Sequence, residues 1–180
     1  MKRVSKAEWL QKALDLLGAE GVEAIRVERI ARELGISKSG FYWHFKDRDD
    51  LRAQIVDYWA HEFSEVVTAN PEILEGPPRK RLEQAMEIFI TNDLTVYEAP
   101  IYAWAEAEPT IATRLRQVYQ QRLDFIRQIF RDLGFAGDEL EMRTRLFFCY
   151  HTWERAMFPK ESKKSLRNLI KRRADLLAKK

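Results

Sequence analysis

Cysteine is almost missing: Cys149 is the single thiol in 180 residues, so no intramolecular disulfide can form and no cysteine-based zinc site is available. Glycine and proline are also scarce, at 7 and 6, which leaves little material for long loops and favours helices joined by short turns. No apolar run approaches the roughly 20 residues that a membrane helix requires, and no signal peptide opens the chain. The expected location is the cytoplasm, with no membrane association. Strand-like alternation, internal repeats and low-complexity runs are absent as well. The sequence holds no glycine-rich phosphate loop, no nucleophile with a neighbouring base and no metal-ligand spacing. His61 and His151 lie far apart, and Cys149 and His151 stand two apart, which on a helix turns them to different faces. Neither an enzyme nor a metal or cofactor site is expected.

What is present is enough apolar material for a sizeable core, 46% of the chain, beside 33% charged residues. The formal net charge is +3, but it is unevenly spread. Residues 1–50 hold 10 Lys and Arg against 9 Asp and Glu, residues 51–158 hold 12 against 17, and residues 159–180 hold 9 against 2. An N-terminal region this close to neutral cannot attract an anionic partner by bulk charge, so the position of each cation matters. The basic tail carries Leu166, Leu169, Ile170 and Leu177 on one stripe, the pattern of a docked terminal helix with a solvated basic face. Glu98, Glu106 and Glu108 read as a solvated acidic face.

The helical reading starts with Ser5 and Glu8, a capping-box pair ahead of Trp9, Leu10, Ala13, Leu14 and Leu17, which predicts a first helix over about residues 5–19. Val27, Ile30, Ala31 and Leu34 recur at helical spacing. Gly35 can then close that helix in the left-handed conformation, and Ser37 can cap the next one. In the helix that follows, Phe41 and Phe45 stand four apart and can pack inward, leaving Lys38, Ser39, Tyr42, Trp43 and His44 around the outside. Two short helices meeting at a tight turn, the second with donors and flat rings on its outer face, spell a helix-turn-helix. Asp47 with Asp50 caps a longer helix through Leu51, Ile55, Tyr58, Trp59 and Phe63. Further helices are predicted over about 78–93, along the stretch from Leu115 to Leu133 closed by Gly134, over about 138–157, and over about 162–178, with a short segment between Pro100 and Pro109.

Ile30-Ala31, Gly35-Ile36-Ser37, Phe41-Tyr42-Trp43-His44-Phe45 and Lys46-Asp47-Arg48-Asp49-Asp50-Leu51 together resemble the tetracycline-repressor (TetR) family over about residues 5–55. The resemblance implies an all-α fold of about nine helices. A three-helix, helix-turn-helix DNA-binding domain over 1–47 would be joined to an effector-binding and dimerisation domain over 48–180. It also implies a homodimeric transcriptional regulator, usually a repressor, that leaves a palindromic double-stranded operator when a small-molecule effector binds. Regulation by a protein partner or by abundance, without such a ligand, is the alternative.

The motif register assigns residues. Lys38 is placed for base contact or phosphate, Tyr42 and His44 for the DNA backbone, and Trp43 for a sugar or thymine methyl. Arg48 stands where the family usually has lysine, at a helix start suited to a phosphate. Ser39, Arg26 and Arg29 are further DNA-contact candidates. Gly40 departs from the family, which commonly has a small hydroxyl residue there, and Glu28 places an anion where other members have a base-reading or neutral side chain. Trp59, Phe63, Met86, Phe89, Tyr102, Trp104, Tyr119 and Phe148 are the candidates for an effector pocket. The family's four-helix dimer interface would use the last two helices, here with Phe147, Trp153, Leu166, Leu169 and Ile170.

Overall fold

A computed structural model describes residues 4–68, 73, 75–91, 95–158 and 162–179, the side chains of 63–68 and 155 excepted. Helices account for all the regular structure among the described residues, and no strand is present. Helix α1 (Lys6–Glu20) opens on the expected capping box: the Ser5 hydroxyl accepts from the Glu8 N–H at 3.3 Å, and the Glu8 carboxylate accepts from the Ser5 N–H at 2.8 Å. A short 3-10 turn, Val22–Ala24, leads to α2 (Val27–Leu34). Gly35 ends α2 at φ 70°, ψ 34°, a left-handed conformation that is costly for any residue with a Cβ.

The segment after this turn differs from expectation. Lys38–Trp43 is a 3-10 helix rather than an α-helix, held by Gly40 N–H to Ser37 O at 3.2 Å and His44 N–H to Phe41 O at 2.9 Å. Six residues with a central glycine are too short and too weakly helical to sustain the wider α geometry. Ser37 does not cap it; its hydroxyl lies 2.7 Å from that of Ser39. Helix α3 (Arg48–Thr68) starts as expected, with Asp47 accepting from the Asp50 N–H at 2.8 Å and Asp50 accepting from the Lys46 N–H at 2.9 Å.

Helices α4 (Pro78–Thr91), α5 (Glu98–Ala107), α6 (Pro109–Asp132) and α7 (Gly137–Met157) follow. Pro78 and Pro109 occupy first helical positions, where the missing N–H costs nothing. The tail, read from sequence as one helix, is two: α8 (Lys163–Asn168) and α9 (Ile170–Ala178), parted at Leu169.

Two compact units result: residues 1–62 with 100–115, and residues 63–99 with 116–180. The first is larger than the expected 1–47 head, because α3 carries Leu51, Ile55, Val56 and Trp59 into its buried set. Trp9 is fully buried against Phe41, with ring centroids 5.5 Å apart, and Phe41 stacks on Phe45 at 5.1 Å. The second unit is built around Met86, Phe89, Phe130, Phe147, Ile170 and Ala174. Its basic tail is docked, as expected. Arg167 pairs with Glu87 at 2.5 Å, Arg173 with Glu154 at 2.6 Å, and Asp175 with Arg79 at 2.8 Å.

His151 lies inside this second core. Its ring sits 4.2 Å from that of Phe147, and one ring nitrogen is 2.8 Å from the Phe147 carbonyl oxygen. Burial lowers its pKa to about 4, from 6.5, because charging the ring there would strip it of water. The unfolded chain therefore holds the extra proton between these values, and stability falls as pH drops from 6.5 towards 4, by up to about 3 kcal/mol. Thermal unfolding across this range is expected to show that loss, and His151→Phe to flatten it; an identical acid slope in the variant would contradict the assignment.

Candidate nucleic-acid interface

The head spends one side of each element on its core and presents the other. In the 3-10 segment Phe41 is 1% exposed, while its neighbours Tyr42 and Trp43 are 67% and 87% exposed. Burying Phe41 and Phe45 under Trp9 forces Tyr42 and Trp43 outward. Lys38 and Ser39 open the same segment at the surface. Arg48, the first residue of α3, is exposed at a helix N-terminus that Asp47 caps, where its guanidinium can meet an anion.

The other expected DNA-contact residues divide. Arg26 is exposed and donates to the Glu23 carbonyl at 3.1 Å, leaving its side chain at the start of α2. Arg29 is committed within the head. It pairs with Glu20 of α1 and donates to Glu33 at 3.2 Å, which raises its pKa through those carboxylates, so it joins α2 to α1. His44 is likewise turned inward, with its Nε2 2.9 Å from the Val4 carbonyl oxygen, and ties the residues ahead of α1 to the end of the 3-10 segment.

Sequence reasoning missed a groove of about 880 Å³ whose walls include Val4, Arg32, Ser37, Ser39, Gly40 and Trp43. Arg32 is exposed on the last turn of α2 and brings a cation to the same groove that Trp43 lines. The only sequence signal for it was its place three residues before Gly35. A Cβ on Gly40 would meet nothing closer than the Ile36 side chain at 3.7 Å, so the space for a hydroxyl residue exists.

Glu28 stands over this surface, its carboxylate 3.5 Å from the Lys38 ammonium, with both side chains exposed. Its pKa is lowered, first by its own backbone N–H and then by Lys38. The anion therefore both steers Lys38 and opposes phosphate.

The effector-pocket candidates are not gathered within one unit. Trp59, Tyr102 and Trp104 belong to the first, whereas Met86, Phe89, Tyr119 and Phe148 belong to the second. Of these, Tyr119 and Phe148 meet edge to face at 5.2 Å, and Met86 and Phe89 lie in the core cluster. Tyr102 is 43% exposed. Phe63's side chain lies outside the described residues. Glu98 corrects the solvated-face reading: it is buried, while Glu106 is exposed and Glu108 pairs with Arg52.

Among the interface candidates, Phe147 and Ile170 are consumed by the core of their own unit. Leu166 and Trp153 are half-buried, and Leu169 is exposed. The apolar surface that α7 does present is Met142, Leu146 and Tyr150, spaced four apart, with Met157 beyond and Leu176 on α9. Among the described residues no group of three or more His, Cys, Asp or Glu is placed to hold a metal ion, and no helix is long and apolar enough to cross a membrane.

Residues 10–55 match the family model of bacterial regulatory proteins, tetR family. A curated relative, the HTH-type transcriptional regulator SrpR of Pseudomonas putida, is 22% identical over 76% of this chain and 66% of its own length. The chain thus spans just under two thirds of that protein. Among solved structures, a transcriptional regulator from Rhodococcus sp. Rha1 superposes with a TM-score of 0.78 at 16% identity, covering 97% of this chain and 96% of that one. The transcriptional regulator FadR from Bacillus subtilis, solved in complex with stearoyl-CoA, gives 0.76 at 14% identity, over 97% and 98%.

Glu28→Gln is expected to strengthen binding to duplex DNA several-fold and to make it more salt-dependent, since Lys38 then faces phosphate without a competing anion. Fluorescence anisotropy over a salt series measures both; weaker binding would instead make Glu28 a base-reading acceptor.

Proposed function

We propose that this chain is a tetR-family regulator, as the match of residues 10–55 to the family model of bacterial regulatory proteins supports, and that it acts as a cytoplasmic, homodimeric repressor released from a palindromic operator by a small-molecule effector. The observation that carries the DNA-binding part is the exposure of Tyr42 and Trp43 beside Lys38, on a segment whose Phe41 is sealed in the core. Large rings are rarely presented so fully without a partner to meet.

In this reading the Lys38–Trp43 segment enters the major groove. Lys38 and Ser39 reach base edges or phosphates, and Tyr42 and Trp43 lie against sugar, phosphate and thymine methyl groups. Arg48 and the α3 N-terminus hold one phosphate, and Arg26 another, on the far side of the groove. Arg29 and His44 act by keeping α1, α2 and the recognition segment in register.

Dimerisation follows from the target: a palindrome needs two recognition segments about 34 Å apart. The Met142, Leu146 and Tyr150 stripe, with Leu169 and Leu176, supplies an apolar face for a second copy. FadR, bound to stearoyl-CoA in its solved structure, supports a ligand site in the helical second unit, where Tyr119 and Phe148 meet.

Selection of random duplexes by the purified protein is expected to enrich a palindrome with half-sites about one helical turn apart. Tyr42→Ala and Arg48→Ala should each weaken binding to it by ~1–2 kcal/mol. Failure to enrich any site across a salt series would overturn the regulator reading. Leu146→Glu, placing a charge in the centre of the α7 stripe, is expected to halve the mass seen by light scattering while leaving helicity intact; an unchanged mass would move the interface elsewhere.

A further inference from the structure

The buried polar and charged side chains among the described residues are Glu98, Arg122, Thr144, His151 and Thr152, and all five belong to the second unit. Three elements bring them in: the first residue of α5, the middle of α6, and α7. Arg122 Nη1 donates to the Glu98 carboxylate at 2.5 Å, and the Tyr119 hydroxyl donates to its other oxygen at 2.9 Å. Tyr119 and Phe148 provide an aromatic wall next to this pair. Thr152 follows Phe148 by one turn on the same side of α7, and its hydroxyl has no hydrogen-bond partner among the described residues. A buried ion pair contributes little net stability over apolar residues of the same volume. Its presence in a unit that also holds an unpartnered, buried hydroxyl one turn along α7 from Phe148 points to a ligand.

We propose that this cluster is the head-group site of the effector, and that the effector is an organic acid with an apolar or aromatic body, whose carboxylate takes the place of Glu98 on Arg122. The inference rests on the effector reading above and names its ligand class. Arg122 carries its charge permanently, so an incoming amine would leave two cations together in a dry core. An incoming carboxylate meets no such obstacle, because Glu98 can neutralise itself by taking a proton from solvent. Burial already pushes the Glu98 carboxyl above the usual range. Glu98 is also the first residue of α5, at the positive end of the helix dipole, which favours a carboxylate. Arg122, mid-way along α6, has no equivalent set of acceptors on its own helix. The Thr152 hydroxyl is then a donor for the second oxygen of the bound acid.

The test uses the whole protein with straight-chain acids from butanoate to dodecanoate, benzoate and cinnamate, each beside its primary amide. Thermal shift reads binding, and anisotropy on the selected palindrome reads release. Acids, and not amides, are expected to raise Tm and release DNA. Glu98→Gln, which removes the competing anion, should lower the half-maximal acid concentration about tenfold, the equivalent of one pKa unit of displaced charge. Arg122→Met should abolish the response; if it misfolds, Glu98→Gln still decides. Glu106→Gln, exposed on α5, is the control. Equal effects of acids and amides, an acid response that survives Arg122→Met, or no acid response in wild type and Glu98→Gln would each overturn the proposal. Amides or amines that release DNA where acids do not would refute the acid assignment and leave the effector reading standing. Acids that raise Tm without releasing DNA would support the acid site and sink the effector reading.

Discussion

The packing of Phe41 and Phe45 under Trp9 is the contact on which the exposed face of the first unit depends. All three rings are buried, and they fix a six-residue segment too short to hold its own helical geometry. Because Phe41 and Phe45 point in, Tyr42 and Trp43 have to point out, and the left-handed turn at Gly35 sets the angle at which they do so. The hydrogen bond between His44 and the Val4 carbonyl then fastens the start of α1 to the far end of the same segment. The recognition face is in this sense a by-product of aromatic burial, and its rigidity comes from the core behind it.

Electrostatics on this face is local. The first 50 residues are nearly neutral, and part of their positive charge is spent internally, as in the Arg29 pairs with Glu20 and Glu33. The exposed cations among the described residues of this region include Arg26, Arg32, Lys38, Lys46 and Arg48, with Arg32 lining the groove and Arg48 at the start of α3. With Glu28 beside Lys38, affinity is tuned by position and not by net charge. The strongly basic tail plays no comparable part, since Arg167 and Arg173 close ion pairs that dock it on α4 and α7.

The two units solve different problems. The first buries apolar side chains and leaves polar ones at the surface. The second has a comparable apolar core but also encloses an ion pair, two threonines and a histidine held neutral by burial. Such groups cost desolvation that packing must offset.

Much of this was readable in advance where the information is local. The Ser5–Glu8 box, the Gly35 turn, the Asp47–Asp50 cap, the inward Phe41 and Phe45, and the all-helical character follow from residue chemistry over a few positions, and the structure agrees. Partners distant in sequence were not readable: Arg29 with Glu20, His44 with Val4, Glu98 with Arg122. Spacing marks which face of a helix is apolar but not which element will cover it. Helical spacing therefore predicts Phe147 and Ile170 at an interface and Glu98 at the surface, whereas the core of their own unit claims Phe147 and Ile170 and Glu98 is buried. The sequence by itself determined the all-helical character, the Ser5 and Asp47 caps, the Gly35 turn and the helix-turn-helix motif, because those depend on neighbours within a turn or two. Tertiary structure alone decided which cations face outward and which polar groups are enclosed, because burial is a property of packing across the whole chain.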